Sequence, residues 1–162
     1  MDKVNIINKD TFFYFVKGDF SCNSFISGIT LFIYRLENYV WTCNKGLHKI
    51  IHPIFIFIKR IFNIPSQISY KCKLGYKIRL PHKGDGVIIS KYAEVGDNVT
   101  IYHQVTLGIN ENKNEIERKI IIGNDCYISV GAKIISCKLG DRVKVAPNKV
   151  IYFDCKSDVF VK

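Results

Sequence analysis

One aliphatic residue recurs every six positions through the second part of the chain. Ile68, Leu74 and Leu80 form one ladder, and Ile89, Val95, Ile101 and Leu107 a second. Ile122, Ile128 and Ile134 form a third, and Leu139, Val145 and Ile151 a fourth. A period of six matches neither a helix face, at roughly 3.6 residues, nor an alternating strand, at about 2. It fits a three-sided β-solenoid in which each flat side of about six residues points one aliphatic side chain inward, and three sides make a coil of about 18. The fourth residue after an inward position is small or apolar at Cys72, Ile78, Ala93, Val99, Val105, Cys126, Ala132 and Val143. Glycine follows the inward residue at Gly75, Gly96, Gly108, Gly123 and Gly140, and Gly, Asn and Asp there suit corners that need positive φ.

The register breaks three times. Leu80 to Ile89 is nine residues, an insertion of three. Leu107 to Ile122 is fifteen, read as one missing side plus an exposed loop over the polar stretch 109–118. Ile134 to Leu139 is five, a single deletion. Loops leaving a rigid scaffold are where function concentrates.

The preceding part, 1–65, is built differently from the solenoid, 66–162. Of 21 aromatic residues, 13 lie in 1–66, whereas only 3 of 11 glycines do. Phe25, Ile29, Phe32, Ile33 and Leu36 follow three-and-four spacing and predict one helix face, with Ser24 as its cap. A second helix is expected from about Lys45 to Ile51, and a third opened by Pro53 and running to about Phe62. The apolar stretches 28–34 and 50–58 fall short of the about 20 residues a membrane span needs. They are read as core helices, with peripheral attachment to a membrane through aromatics and Lys/Arg left open.

The formal net charge of +10 divides into +4 over 1–66 and +6 over 67–162, so no basic arm exists and no nucleic-acid motif accompanies it. The six cysteines, at 22, 43, 72, 126, 137 and 155, make no zinc-knuckle spacing. The polar start, without an apolar run, predicts no signal peptide; the cysteines are read as reduced and the protein as cytoplasmic. His48 and His52 fall in the helical zone and are read as structural.

The hexapeptide pattern resembles that of the left-handed β-helix acyltransferases. Leu80-Pro-His82-Lys-Gly-Asp-Gly-Val-Ile-Ile89 and Val95-Gly-Asp-Asn-Val-Thr-Ile-Tyr-His-Gln-Val-Thr-Leu-Gly108 look like the serine acetyltransferase branch, as does Ile33-Tyr-Arg-Leu36. The likeness spans about residues 25–160, and its nearest point is the members that acetylate sugars of capsule, colanic acid or O-antigen. The resemblance implies a mainly β protein, a left-handed parallel β-helix of hexapeptide repeats with an N-terminal helical region. It implies a homotrimeric, acetyl-CoA-dependent O-acetyltransferase with a sugar or glycan acceptor, active sites between subunits and no metal. His82 falls on the general base, His103 and Gln67 on acceptor positions, and Gly108, Val130, Gly131 and Lys144 on CoA positions.

Serine O-acetylation in cysteine synthesis, or an inactive β-helix scaffold, are the alternative readings. The branch's supporting aspartate is here Gln67, the aspartate before the histidine is Pro81, and a second histidine is replaced near Glu117. Those departures turn the expectation from serine to sugar. The sequence reaches Lys162 without the Gly-Val/Asn-Pro-Ala segment usual in the branch. A β-helix zinc enzyme needs three converging histidines, and the solenoid zone holds only His82 and His103.

Overall fold

A computed structural model describes residues 9–162; the reading of the chain's start lies mostly outside them. Three helices come first: α1 (Lys9–Cys22), α2 (Phe25–Cys43) and α3 (Lys45–Ile61). Ser24 caps α2, its side chain accepting from the Ser27 N–H. The break expected before Pro53 is absent, and α3 runs through it as one helix. A proline removes one backbone donor, and here the flanking turns hold without it.

Five coils follow. Coil one holds β1 (Gln67–Ile68), β2 (Lys73–Leu74) and a bridge at Arg79; coil two holds β3 (Ile88–Ile89), β4 (Ala93–Val95) and β5 (Thr100–Ile101). Coil three holds β6 (Thr106–Gly108), β7 (Ile120–Ile122) and β8 (Tyr127–Ile128). Coil four holds β9 (Lys133–Ile135), β10 (Lys138–Leu139) and β11 (Lys144–Val145). Coil five holds β12 (Val150–Ile151), a bridge at Cys155 and β13 (Phe160–Val161). All strand pairs are parallel, and inward residues stack on inward residues: Ile68 on Ile89, Leu107, Ile134 and Ile151. Every residue of the six-residue ladders is buried, with exposure of 8% or less. Each coil closes a layer that neither neighbour could bury alone.

The fifteen-residue step hides no missing side. Leu107 and Ile122 stand on adjacent sides of coil three, so the whole excess is a loop at one corner. The five-residue step lies at the same corner one coil on, where Ser136 braces that loop. Its Oγ accepts from the Asn110 N–H at 2.8 Å, and its carbonyl from Lys113 Nζ at 3.0 Å.

The repeated glycines serve close approach and not positive φ. A Cβ on Gly123 would sit 2.6 Å from the Gly140 carbonyl carbon, and one on Gly140 would sit 2.5 Å from the Ser157 nitrogen. The left-handed residues of that corner are instead Lys77, Asn98, Asp125, Arg142 and Asp158.

The helices sit on coil one through an unexpected face. Of the expected face Ile33 is buried but Phe25 is 72% exposed, whereas Leu31, Tyr34 and Arg35, outside it, are buried. The face is mixed because it meets unpaired backbone. Tyr34 Oη donates to the Cys72 carbonyl, and Arg35 donates to the carbonyls of Leu74 and Gly75. Asp19 accepts from the Ile78 N–H, and Asn23 accepts from the Leu80 N–H while donating to the Ile78 carbonyl. An apolar stripe could not satisfy these groups.

On the outer side, Leu47, Ile50, Ile54, Phe57 and Ile61 of α3 face solvent. Among the described residues no helix is long and apolar enough to cross a membrane.

Candidate active site

The insertion of three between coils one and two falls at a corner. Arg79 pairs with Thr100 and Ile88 with Thr106, so 82–85 occupy the space that His103 alone fills in coil two. The surplus residues bulge outward as a tight turn at Pro81–Gly84. His82, Lys83 and Gly84 all take positive φ, at 54°, 64° and 66°. For non-glycine residues this conformation costs roughly 1–2 kcal/mol each. The turn is held at its entry, where Leu80 accepts from Ser27 Oγ and donates to Asn23. At its exit Asp85 N–H donates to the His82 carbonyl.

The bulge places the exposed His82 imidazole over His103, ring centroids 4.8 Å apart and edge to face. Tyr102 lies 6.2 Å from His82 and 5.1 Å from Tyr127, ring to ring. Hydrogen bonding to Tyr102, then burial, raises the Tyr127 phenol above its ordinary value. His103 is half-buried, and its Nδ1 is enclosed without a hydrogen-bond partner. The His103 carbonyl accepts from the Gly131 N–H at 3.1 Å, which ties the corner of coil three to that of coil two.

The structure therefore gathers His82, His103, Val130 and Gly131 along one corner of the helix. The other expected residues lie elsewhere. Gly108 is on β6, at the corner where the 109–119 loop leaves, and a Cβ there would come 3.0 Å from Ile135 Cδ1. Lys144 is exposed on β11 and borders a cleft of about 620 Å³ with Asp125, Arg142, Asp158, Val159 and Phe160. That cleft spans coils three to five. Gln67 is exposed on β1, in register with Ile88, and among the described residues no hydrogen bond links it to His82. Tyr102 and Tyr127 were missed by the sequence reading. The six-residue rule carries the signal, since it places both next to inward isoleucines and so on the outer surface beside the histidines.

A surface imidazole beside a second imidazole can take a proton from a hydroxyl at neutral pH. No thiol competes for the role of nucleophile in the core, because burial pushes Cys72 up to about 12 and Cys137 up to about 11. All six cysteines are free.

Comparison with known proteins gives a consistent picture, although no family model matches the chain. It is 34% identical over 119 residues to a serine acetyltransferase of Helicobacter pylori, covering 69% of this chain and 68% of that one. A serine acetyltransferase of Staphylococcus aureus is 38% identical over 86 residues, which is 52% of this chain and 39% of the relative. Among solved structures, the Neisseria gonorrhoeae serine acetyltransferase in complex with serine superposes with a TM-score of 0.76 at 19% identity, covering 96% of this chain and 67% of its own. A serine acetyltransferase in complex with CoA superposes with a TM-score of 0.64 at 22% identity. This chain covers 82% of its own length there but about half, 52%, of that protein. These likenesses establish the left-handed β-helix with an N-terminal helical region.

They also correct the acceptor. The sugar expected from the resemblance is contradicted by relatives and structural neighbours that are serine acetyltransferases. The hexapeptide ladder and the histidine turn serve acceptors of either kind. Gln67, Pro81 and Glu117 are single side chains, too little to outweigh a match along most of the chain.

Proposed function

The chain belongs to the serine acetyltransferase family of acetyl-CoA-dependent acyltransferases, and on that footing we propose that it acetylates the hydroxyl of serine, with His82 as general base. The observation that carries the assignment of the base is the outward turn at Pro81–Gly84, which presents His82 above His103 at 4.8 Å.

The imidazole of His82 removes the hydroxyl proton as the serine oxygen attacks the thioester carbonyl. The C–S bond then breaks, the acetyl ester remains on serine, and the imidazolium returns its proton to the departing CoA sulfur. Stabilisation of the tetrahedral oxyanion is assigned to backbone N–H groups near the tight turn. His103, tied to Gly131 through its carbonyl, forms the acceptor side. Val130 and Gly131 continue the same corner toward the donor, and we assign them with Gly108 and Lys144 to CoA, Lys144 as a point charge for a phosphate.

Gln67, at the position of the family's supporting aspartate, carries no charge with which to steady the imidazolium. The base therefore works with less electrostatic support. The exposure of His82 leaves one side of the site open, and a homotrimer with sites between subunits would supply the second wall. The organisation we propose is a helical region over 1–65 and a catalytic β-helix over 66–162. Six free thiols favour a reducing compartment such as the cytoplasm.

The test is release of the CoA thiol from acetyl-CoA in the presence of L-serine. His82→Ala should lower kcat/KM by roughly a hundredfold or more. Equal rates for variant and wild type would remove His82 from the mechanism, and no serine-dependent release would remove the acceptor.

A further inference from the structure

Between α2 and α3 lies a second cluster of chemistry that acyl transfer does not use. Glu37, on α2, is fully buried. His48 and His52 stand four residues apart on α3, hence on one face, and both turn toward that carboxylate. Glu37 Oε1 is 2.7 Å from His52 Nδ1 and 3.5 Å from His48 Nε2. The three atoms all lie within 4.8 Å of one another.

Hydrogen bonding inside the chain leaves one atom of this group unprovided for. Glu37 is satisfied, with His52 on Oε1 and Lys59 Nζ on Oε2 at 2.6 Å. His48 Nε2 is enclosed and has no hydrogen-bond partner, although the residue is only 2% exposed. A buried imidazole nitrogen without a partner costs free energy. Its ring is not free to turn away, since it packs on Tyr70 at 4.3 Å and on Trp41 at 5.3 Å.

We propose that Glu37, His48 and His52 form a binding site for a divalent cation of the zinc class. Two imidazole nitrogens and one carboxylate oxygen are a zinc donor set, with a fourth position left for water. Bonds of about 2.0–2.1 Å in tetrahedral array put neighbouring ligand atoms about 3.3 Å apart. The observed 2.7 Å and 3.5 Å fall on either side of that spacing, and the two imidazole nitrogens, within 4.8 Å of each other, complete the triangle that a cation would draw together. His52 is 36% exposed and opens a path from solvent. On binding, His52 ligates through Nδ1 as the neutral tautomer that carries its proton on Nε2, and Glu37 exchanges the hydrogen bond from His52 for the cation. Lys59 stays on the outer carboxylate oxygen, where it holds the ligand in place but opposes the incoming charge. The site would lock α2 to α3 and so steady the helical layer resting on coil one.

The experiment uses the full chain, stripped by a chelator and titrated with Zn²⁺ against a chromophoric competitor. Co²⁺ serves as a spectroscopic substitute that reports tetrahedral nitrogen and oxygen ligation. One equivalent per chain is expected, with a rise in Tm on loading. His48→Ala should weaken binding by roughly a hundredfold and abolish the rise in Tm. His52→Gln, at the partly exposed position, gives the same loss if the buried variant fails to fold. Lys59→Met should tighten binding by roughly tenfold, because it removes the opposing charge. The double variant His82→Ala, His103→Ala should still bind one equivalent. The proposal falls if the wild-type chain binds no stoichiometric Zn²⁺, if His48→Ala and His52→Gln bind like wild type, or if the equivalent is lost with the His82 and His103 pair.

Discussion

Coils one and five are both ends of the same stack of strands, yet they are finished in different ways. At coil one, side chains of α1, of α2 and of the link between them meet the outward backbone group by group. Asp19 and Asn23 accept from the Ile78 and Leu80 N–H groups, and Tyr34, Arg35 and Ser27 donate to carbonyls from Cys72 to Leu80. At coil five no described element lies over the strands, and Tyr152, Phe153 and Phe160 are 70%, 52% and 55% exposed. A parallel β-helix buries its aliphatic column wherever coils stack, but its ends expose unpaired peptide groups that packing alone cannot satisfy. The first end is closed by polar chemistry on a helix face. That explains why this face is not the apolar stripe that helix periodicity selects.

The largest test of this contrast is Asp19→Ala. Asp19 is fully buried, its Oδ2 lies 3.0 Å from Arg35 Nε, and it also accepts from the Ile78 N–H. Its removal strands a buried guanidinium and a buried backbone donor, which should cost about 3–5 kcal/mol in urea denaturation. A cost near zero would mean that the helices rest on coil one through shape alone.

Next comes alkali, which attacks the two ends unequally. Burial holds the Cys72 thiol, under α2, at about 12 against an ordinary 9.0. A raised value means stability that is complete below the ordinary value and is lost as pH rises through the raised one. Ionising Cys72 thus opposes the seam by at most about 4 kcal/mol. Cys137, in coil four, is held less far up, at about 11. Stability measured between about pH 9 and about pH 12 should fall more steeply in wild type than in Cys72→Ala, and the correction by Cys137→Ala should stop growing at about pH 11 while that by Cys72→Ala continues. A steeper rescue by Cys137→Ala would place the alkaline weakness in the solenoid instead of the seam.

How far the sequence reveals these features follows from their range. Each inward position is one of many equivalents six residues apart, so the column from Ile68 to Ile151 is legible without coordinates. The glycines were legible as special but for the wrong reason. Whether Gly123 needs positive φ or room depends on the next coil, and only the stacked Gly140 shows that it is room. His82 stood out through the family resemblance, at the start of the first insertion, but its approach to His103 needs the coil register. Glu37 meeting His48 and His52 depends on how two helices are rotated, and periodicity within one helix carries nothing about that.

Glycine substitution gives a smaller and more local comparison. A Cβ on Gly123 meets the backbone of Gly140, which is itself held by coils on both sides. Gly123→Ala should cost about 1–3 kcal/mol. Gly140→Ala meets Ser157 in the last coil, which can lift away, and so should cost less. Equal costs, read from urea midpoints, would show coil five to be as firmly held as coil four.

The smallest effect is expected at the open end, and it is the most discriminating about the assembly. Tyr152 and Phe153 are exposed in the folded chain, and they are exposed in the unfolded chain as well. Replacing both with Ser removes little burial and should change stability by no more than about 0.5 kcal/mol. The measurement should be made at two protein concentrations far apart. A loss above about 1 kcal/mol that grows as the protein is diluted would mean that another subunit covers these rings, because only binding to the folded state makes stability depend on concentration. Coil five would then be closed like coil one, with a partner subunit in place of helices. A small, concentration-independent change would leave the asymmetry as a property of the single chain.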